Sequence, residues 1–382
     1  MFAAPAGTVQ LVLTLFLAGI AVGQLVYGPA SDRFGRRPVL IAGLALFLAG
    51  TVVCGFARSL PMLIVGRVIE ACGGCAGMVL GRAIVRDLFD RERSTSAIAT
   101  ITMAMSLAPS ISPAIGAYLA QWVGWRADFA LLGALGTAVL VLTAVRLEET
   151  HRNPAPTSVA AMGRSFVLLL RSPAFVGFAL TTAFTSVSWF TFLASAPYLL
   201  SEVLHEPPST YGLMILLPMA TYMLGNAAAA RFVPRFGSLQ LLLAGRALAF
   251  AAALGMALWA GSAPLSVWLL FVPIALAEIG DGMSGPAVMA AALSIQPRLA
   301  GTAAGLMGFL QMAAAALGSF VVALLPYRNA FGMIALYGGF VALGLAAAVF
   351  AVRCAQPLAV AVAEEWPVLP GAPAPAPAAD RT

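Results

Sequence analysis

Long apolar segments, each about as long as a lipid bilayer is thick, alternate with short polar turns along the whole chain. A helix needs roughly 20 apolar residues to cross the hydrocarbon core of a membrane, and 61% of the 382 residues are hydrophobic. Only 9% are charged, which is far less than a soluble domain of this size carries. The pattern predicts an all-α polytopic membrane protein, and the lack of period-2 alternation argues against a β-barrel.

We place about 11 transmembrane helices, five before a polar segment and six after it. The spans lie at about 8–28, 38–57, 60–85, 95–121, 129–146, 173–199, 209–230, 237–260, 264–290, 300–325 and 330–352. This predicts an N-terminal helical bundle (1–147), a cytoplasmic linker (148–172) with a short amphipathic helix at about 160–170, a C-terminal helical bundle (173–353) and a disordered tail (354–382) rich in Pro and Ala.

The arginines predict the orientation of the chain in the membrane. Sixteen lie in loops on the side of the first charged turn, and three (Arg58, Arg126 and Arg328) lie on the other side. Because short loops rich in Arg stay in the cytoplasm, we expect the linker and the C-terminus to be cytoplasmic. The net charge of +6 is thereby explained by topology, without nucleic acid as a partner.

The first charged turn runs from Gly28 to Pro38, between the first two spans. Part of it recurs as Arg235-Phe236-Gly237, also between two spans and on the same side, at an offset of 202 residues. Two halves related by an internal repeat are typical of secondary transporters.

The turn is similar to the signature loop between the second and third helices of the major facilitator superfamily. Several stretches resemble the Bcr/CflA drug-resistance family: Gly23–Leu40, Gly77–Leu88, Leu107–Gly116, Gly301–Gly305 and Gly308–Met312. The resemblance covers roughly residues 9–353. The resemblance implies two pseudo-symmetric helical bundles in the inner membrane that export small amphipathic drugs or metabolites by alternating access, in exchange for protons. We expect a monomer without a cofactor.

The chain departs from that family in two places. The family has twelve helices, and residues 5–11 resemble the external loop before its second helix, so we expect the first family helix to be missing here. A truncated, non-transporting paralogue is therefore the alternative function. The other departure is Glu70, where relatives more often carry Gln.

The resemblance assigns a gating role to the first charged turn, whose contacts would latch the outward-facing state. The alternative is that its charges serve topology alone. The candidate gating residues are Gly28, Asp32, Arg33, Gly35, Arg36 and Arg37.

Two pairs of ionisable residues lie inside predicted spans, each pair three residues apart and so on one helix face. Arg67 and Glu70 are predicted to line a proton or substrate pathway, or else to form a structural ion pair. Glu278 and Asp281 suit a proton carrier or a site for a cationic drug; alternatively an arginine of another helix, such as Arg246, satisfies them.

Other candidates are less specific. Pro109, Pro113 and Gly116 interrupt one span, and the resemblance ties that helix to antiport; a plain proline kink is the alternative. Asn226 and Gln311 are polar residues in spans, and we expect them to line a cavity or to hydrogen-bond between helices.

An intramembrane enzyme is a remote alternative. Gly282-Met283-Ser284-Gly285 matches the G-x-S-G of rhomboid-type proteases, whose serine needs a nearby base. The two histidines, His151 and His205, fall in the linker and in an external loop, so we predict no enzyme. The chain also has no phosphate-binding loop of the G-x-x-x-x-G-K-[ST] type and no predicted metal site, which points to an ion gradient as the energy source.

Overall fold

The structure is a computed structural model that describes residues 6–88, 112, 115–116, 118–150, 159–296, 299–324 and 330–365. Within these residues every regular element is helical. A π-helical turn, Leu199–Val203, follows α6. The α-helices are α1 (Ala6–Phe34), α2 (Arg36–Gly55), α3 (Leu60–Leu88), α4 (Arg126–Arg146), α5 (Val159–Leu170), α6 (Pro173–Tyr198), α7 (Pro208–Met214), α8 (Leu216–Phe236), α9 (Ser238–Ser262), α10 (Val267–Ser294), α11 (Ala300–Leu324) and α12 (Ala330–Glu365).

Ten helical segments in the described part of the chain are long and apolar enough to cross a membrane. They correspond to ten of the predicted spans, and the remaining one, at about 95–121, lies almost entirely outside the described residues. The short linker helix is confirmed as α5. The chain is thus an all-helical, multi-pass membrane protein.

The helices pack in two groups. In the first, α2 lies against α3 and α4, and α1 lies against α3; in the second, α6, α8, α9, α10, α11 and α12 pack on one another. Glycines allow close approach in the first group, since a Cβ at Gly50 would collide with the backbone of Glu70 and one at Gly73 with the backbone of Phe47. The two groups meet where α1 packs along α11.

The first charged turn is much shorter than predicted. Helix α1 continues through Gly28 and Pro29 to Phe34, and α2 begins at Arg36, so Gly35 alone is not helical. Hydropathy predicts where a helix leaves the apolar layer of the membrane. It does not predict where the backbone hydrogen bonds of that helix end. Polar residues can therefore continue a helix into the headgroup region, and the predicted loop is wrong in its bounds.

The predicted disordered tail is also wrong in its first part. Helix α12 runs on to Glu365 through Pro357, and most of residues 355–365 are Ala, Leu, Gln or Glu, which are good helix formers. Residues 366–382 lie outside the described residues.

Candidate functional site

The junction between α1 and α2 depends on the backbone of Gly35. Its φ of 94° and ψ of 155° belong to a region that is open almost only to glycine. The amide of Gly35 donates to the carbonyl of Ser31 at 3.0 Å, which closes α1. The hydroxyl of Ser31 in turn donates to the carbonyl of Gly28 at 2.8 Å. A single non-helical residue therefore separates α1 from α2.

A small ionic network surrounds this junction. The guanidinium of Arg36 is paired with the carboxylate of Asp32, one turn earlier in α1, and donates to Asp87 of α3 at 3.1 Å. The side chain of Arg36 is 12% exposed, and Asp32 and Asp87 are more open to solvent. One cation thus joins three helices at the cytoplasmic end predicted from the arginine count.

The carboxylate of Glu149 occupies the start of α2. Its two oxygens accept hydrogen bonds from the backbone amides of Arg36 at 2.9 Å and Arg37 at 3.1 Å. An anion here is favourable because the first amides of a helix have no partner within the helix. Sequence reasoning missed Glu149, since 113 residues separate it from Arg36 and no local spacing reveals the contact.

The two remaining arginines of the junction point elsewhere. The exposed Arg33 lies 5.1 Å from the ring centre of Phe34. Arg37 donates to the carbonyl of Ala144, near the end of α4, at 2.8 Å. The contact of Arg37, together with those of Glu149, holds the end of α4 against the start of α2.

The second half of the chain repeats the junction at Gly237. This glycine ends α8 and starts α9 with φ 80° and ψ 154°, and its amide donates to the carbonyl of Val233 at 2.9 Å. Arg235 lies 5.3 Å from the ring centre of Phe236, as Arg33 lies near Phe34. The repeat seen in the sequence therefore extends to the backbone and to the neighbouring side chains.

Arg67 and Glu70 form an ion pair within α3. Arg67 donates to one carboxylate oxygen of Glu70 at 2.7 Å, and the hydroxyl of Thr51 in α2 donates to the other at 3.1 Å. Glu70 is 1% exposed. The guanidinium also lies 3.9 Å from the ring centre of Phe16 in α1. Both oxygens of Glu70 are therefore already engaged.

Glu278 and Asp281 lie deep among α6, α9, α10 and α12. Arg246 of α9, which is fully buried, is ion-paired with Asp281 and donates to the hydroxyl of Thr185 at 2.8 Å. Glu278 is also buried and shares the field of that guanidinium. The structure brings the two predicted acids together with the arginine that the sequence suggested as a partner.

The remaining candidates are less informative. The amide of Asn226 donates to the carbonyl of Tyr222 within α8 at 3.0 Å, and Gln311 is a half-buried residue of α11. Gly116 is also half-buried, near Asp128. Pro109 and Pro113 lie outside the described residues.

The contact between the two helix groups is polar at one end. Gln10 and Thr14 of α1 both donate to the hydroxyl of Ser319 in α11, each at 3.0 Å. Further along, the side chain of Gln24 lies in the space beside Gly308. Because α1 and α11 stay in contact over several turns, any movement between the two groups must alter this pair of helices.

Comparison with known proteins shows which family has this architecture. Residues 2–319 match the family model described as Major Facilitator Superfamily. The chain is 27% identical over 344 residues to a bicyclomycin resistance protein homolog of Haemophilus influenzae, a match covering 90% of this chain and 86% of the relative.

It is 30% identical to multidrug resistance protein D of Escherichia coli, covering 84% of this chain and 80% of the relative. It is 31% identical to a chloramphenicol resistance protein of Pseudomonas aeruginosa, in a match that covers 86% of this chain and 78% of the relative. Among solved structures, a D-xylose-proton symporter superposes with a TM-score of 0.74 at 17% identity, over 91% of this chain and 88% of that one. That likeness concerns the fold.

Proposed function

The chain belongs to the major facilitator superfamily, and from that premise we propose that it exports small amphipathic drugs or metabolites in exchange for protons. The observation that carries the proposal is the presence of ionisable side chains inside apolar helices of both groups: Arg67 and Glu70 in α3, and Arg246, Glu278 and Asp281 in α9 and α10. An ionised side chain at the centre of a membrane helix costs about 3 kcal/mol, so such residues usually serve ion or substrate pathways.

The relatives support a class of cargo. Three of them are named for resistance to bicyclomycin, to multiple drugs and to chloramphenicol. These names favour small amphipathic antibiotics over sugars, although the solved structure that superposes on the fold is a xylose symporter. We propose protons as the second transported species and the surrounding lipid as the other molecular partner.

We propose that the two bundles, residues 1–147 and 173–353, rock against each other and expose a central pathway to one side at a time. In this proposal the two bundles move against each other along the contact between α1 and α11. The junction at Gly35, with Asp32 and Arg36, acts as a latch in this movement, and its counterpart at Gly237 supports the symmetry that rocking requires.

We propose that the protein works as a monomer in the inner membrane, with its C-terminus in the cytoplasm. We also propose that it performs no covalent chemistry. The hydroxyl of Ser284 donates to the carbonyl of Asp281, one turn back in α10, at 3.2 Å. Because its hydroxyl is hydrogen-bonded to the backbone of its own transmembrane helix, we interpret Ser284 as a structural residue and not as a nucleophile.

Drug accumulation in living cells tests the proposal. The full chain is expressed in a bacterial host that lacks its main drug pumps, and the cellular content of labelled chloramphenicol is followed with and without a protonophore. We expect lower accumulation than with the empty vector, and the protonophore should abolish the difference. An unchanged drug content and resistance profile, with the chain present in the membrane, would instead support a non-transporting paralogue.

A further inference from the structure

The buried polar cluster of the second helix group has an unequal charge count. It holds two carboxyl groups, Glu278 and Asp281, and one guanidinium, that of Arg246. Arg246 is fully buried, Asp281 is 4% exposed and Glu278 is 7% exposed. If both acids were ionised, the cluster would carry an uncompensated negative charge inside the membrane, which is costly. A single bound proton makes it neutral.

The contacts indicate which acid holds that proton. Asp281 receives the ion pair from Arg246, so it is the acid that stays ionised. In the described part of the chain, Glu278 has no hydrogen bond or ion pair and only feels the charges of Asp281 and Arg246 at longer range. Glu70, the buried acid of the first group, has both oxygens engaged by Arg67 and Thr51.

Unused hydrogen-bonding groups lie in the same buried cluster as Glu278. Among the described residues, Nε and Nη2 of Arg246 and the hydroxyl of Tyr337 are buried without a partner. Tyr337 is 1% exposed and lies in the field of both acids. Unpaired buried donors are unfavourable, and Glu278, whose charge is felt by Tyr337 and which itself feels Arg246, would be an acceptor for them once it is ionised. The cluster is therefore equipped for a second protonation state.

The described surroundings of Glu278 hold few other charges. Among the residues that the structure describes, the titratable groups that interact with Glu278 are Arg246 from α9, Tyr222 from α8, Asp281 from its own helix and Tyr337 from α12. Neither α11 nor the part of α6 that packs here contributes an ionisable side chain. Gly245 of α9 and Gly225 of α8 contact the backbone of α10 at Gly280 and Ile279. Helices α8 and α9 therefore both pack closely on the segment of α10 that carries the two acids.

We propose that Glu278 holds the exchanged proton, while the Arg246–Asp281 ion pair supplies the fixed charge beside it. The proton binds to a carboxylate oxygen of Glu278 in the state seen here. It leaves from the same oxygen to water on the side that the pathway then faces, when the helices rearrange and the free donors of Arg246 and Tyr337 can reach the carboxylate. The exchange of this proton for cargo rests on the proposed function, but the presence of the proton does not.

Infrared spectroscopy of the purified protein in lipid tests the bound proton without any transport. At neutral pH we expect the carbonyl stretch of a protonated carboxylic acid, and Glu278→Gln should remove it. The matched control is Glu70→Gln, which replaces another buried but ion-paired glutamate and should retain the band. No such band in the unmodified protein, or a band that persists in Glu278→Gln, would overturn the inference.

Transport in proteoliposomes tests the exchange. Gln resembles the protonated form of Glu, so Glu278→Gln keeps the cluster neutral and should fold. We expect it to lose drug movement driven by a pH gradient, while its thermal unfolding midpoint stays close to that of the unmodified protein. Gradient-driven movement that survives in Glu278→Gln would refute the role of Glu278 and leave the proposed function standing. If the unmodified chain moved no drug, the proposed function would fail, and the infrared band would still decide whether Glu278 is protonated.

Discussion

Gly35 and Gly237 have nearly the same backbone conformation, with φ of 94° and 80° and ψ of 155° and 154°. Each follows a phenylalanine, ends one membrane helix and starts the next. They differ in what lies beside them: a Cβ at Gly35 would be 2.5 Å from a carboxylate oxygen of Glu149, whereas one at Gly237 would meet no described atom within 4 Å. The two junctions are therefore alike in backbone and unlike in surroundings.

Alanine at these two positions should destabilise the protein to different extents. Both variants place a Cβ in a backbone region that costs about 1–3 kcal/mol, but only Gly35→Ala also displaces Glu149. We expect the thermal unfolding midpoint, measured in detergent, to fall in both variants and further in Gly35→Ala. Equal midpoints would contradict the contact between Gly35 and Glu149.

Removal of the charge of Glu149 should loosen the start of α2. Glu149→Gln weakens two hydrogen bonds to the amides of Arg36 and Arg37, and we expect a loss of about 0.5–1 kcal/mol, which is typical of a cap at an exposed helix end. Glu148→Gln is the matched control, because Glu148 is the exposed neighbour and no described contact depends on its charge. A chemical unfolding series compares the two, and an equal response of both variants would argue against the cap.

Loss of Arg67 alone should destabilise the first helix group more than loss of both Arg67 and Glu70. Arg67→Ala leaves the carboxylate of Glu70 buried without its cation, which costs about 3–5 kcal/mol in comparable sites. The double variant Arg67→Met, Glu70→Leu removes both charges, and we expect it to unfold at a higher temperature than Arg67→Ala. If the double variant were the less stable of the two, the burial argument would be wrong.

The helices and their order are largely predictable from the sequence, because lipid requires long apolar segments whatever the packing. The contacts between helices are less predictable from the sequence. Arg246 could be suggested as a partner for the acids since few cations lie in the spans, but its choice of Asp281 over Glu278 depends on how α9 and α10 pack. The role of Glu149 at the start of α2 has no local signal, and the length of α1 is hidden because hydropathy ends before the helix does.

A covalent link between the helix groups should stop transport. Thr14 and Ser319 are buried and hydrogen-bonded across the α1–α11 contact. Oxidation of the double variant Thr14→Cys, Ser319→Cys should give a disulfide, and we expect drug movement to stop and to return on reduction. The two single variants are the controls, and full activity of the oxidised, crosslinked protein would contradict rocking at this surface.

Proton movement driven by drug is the most direct test of the central claim. The purified chain is reconstituted into proteoliposomes that contain a pH-sensitive dye, and an outwardly or inwardly directed chloramphenicol gradient is imposed. The prediction is a proton flux opposite to the drug flux, absent in Asp32→Asn, whose partly exposed carboxylate should cost little stability when neutralised. Drug movement without any proton flux, or an unchanged flux in Asp32→Asn, would contradict coupled export through a gate at this junction.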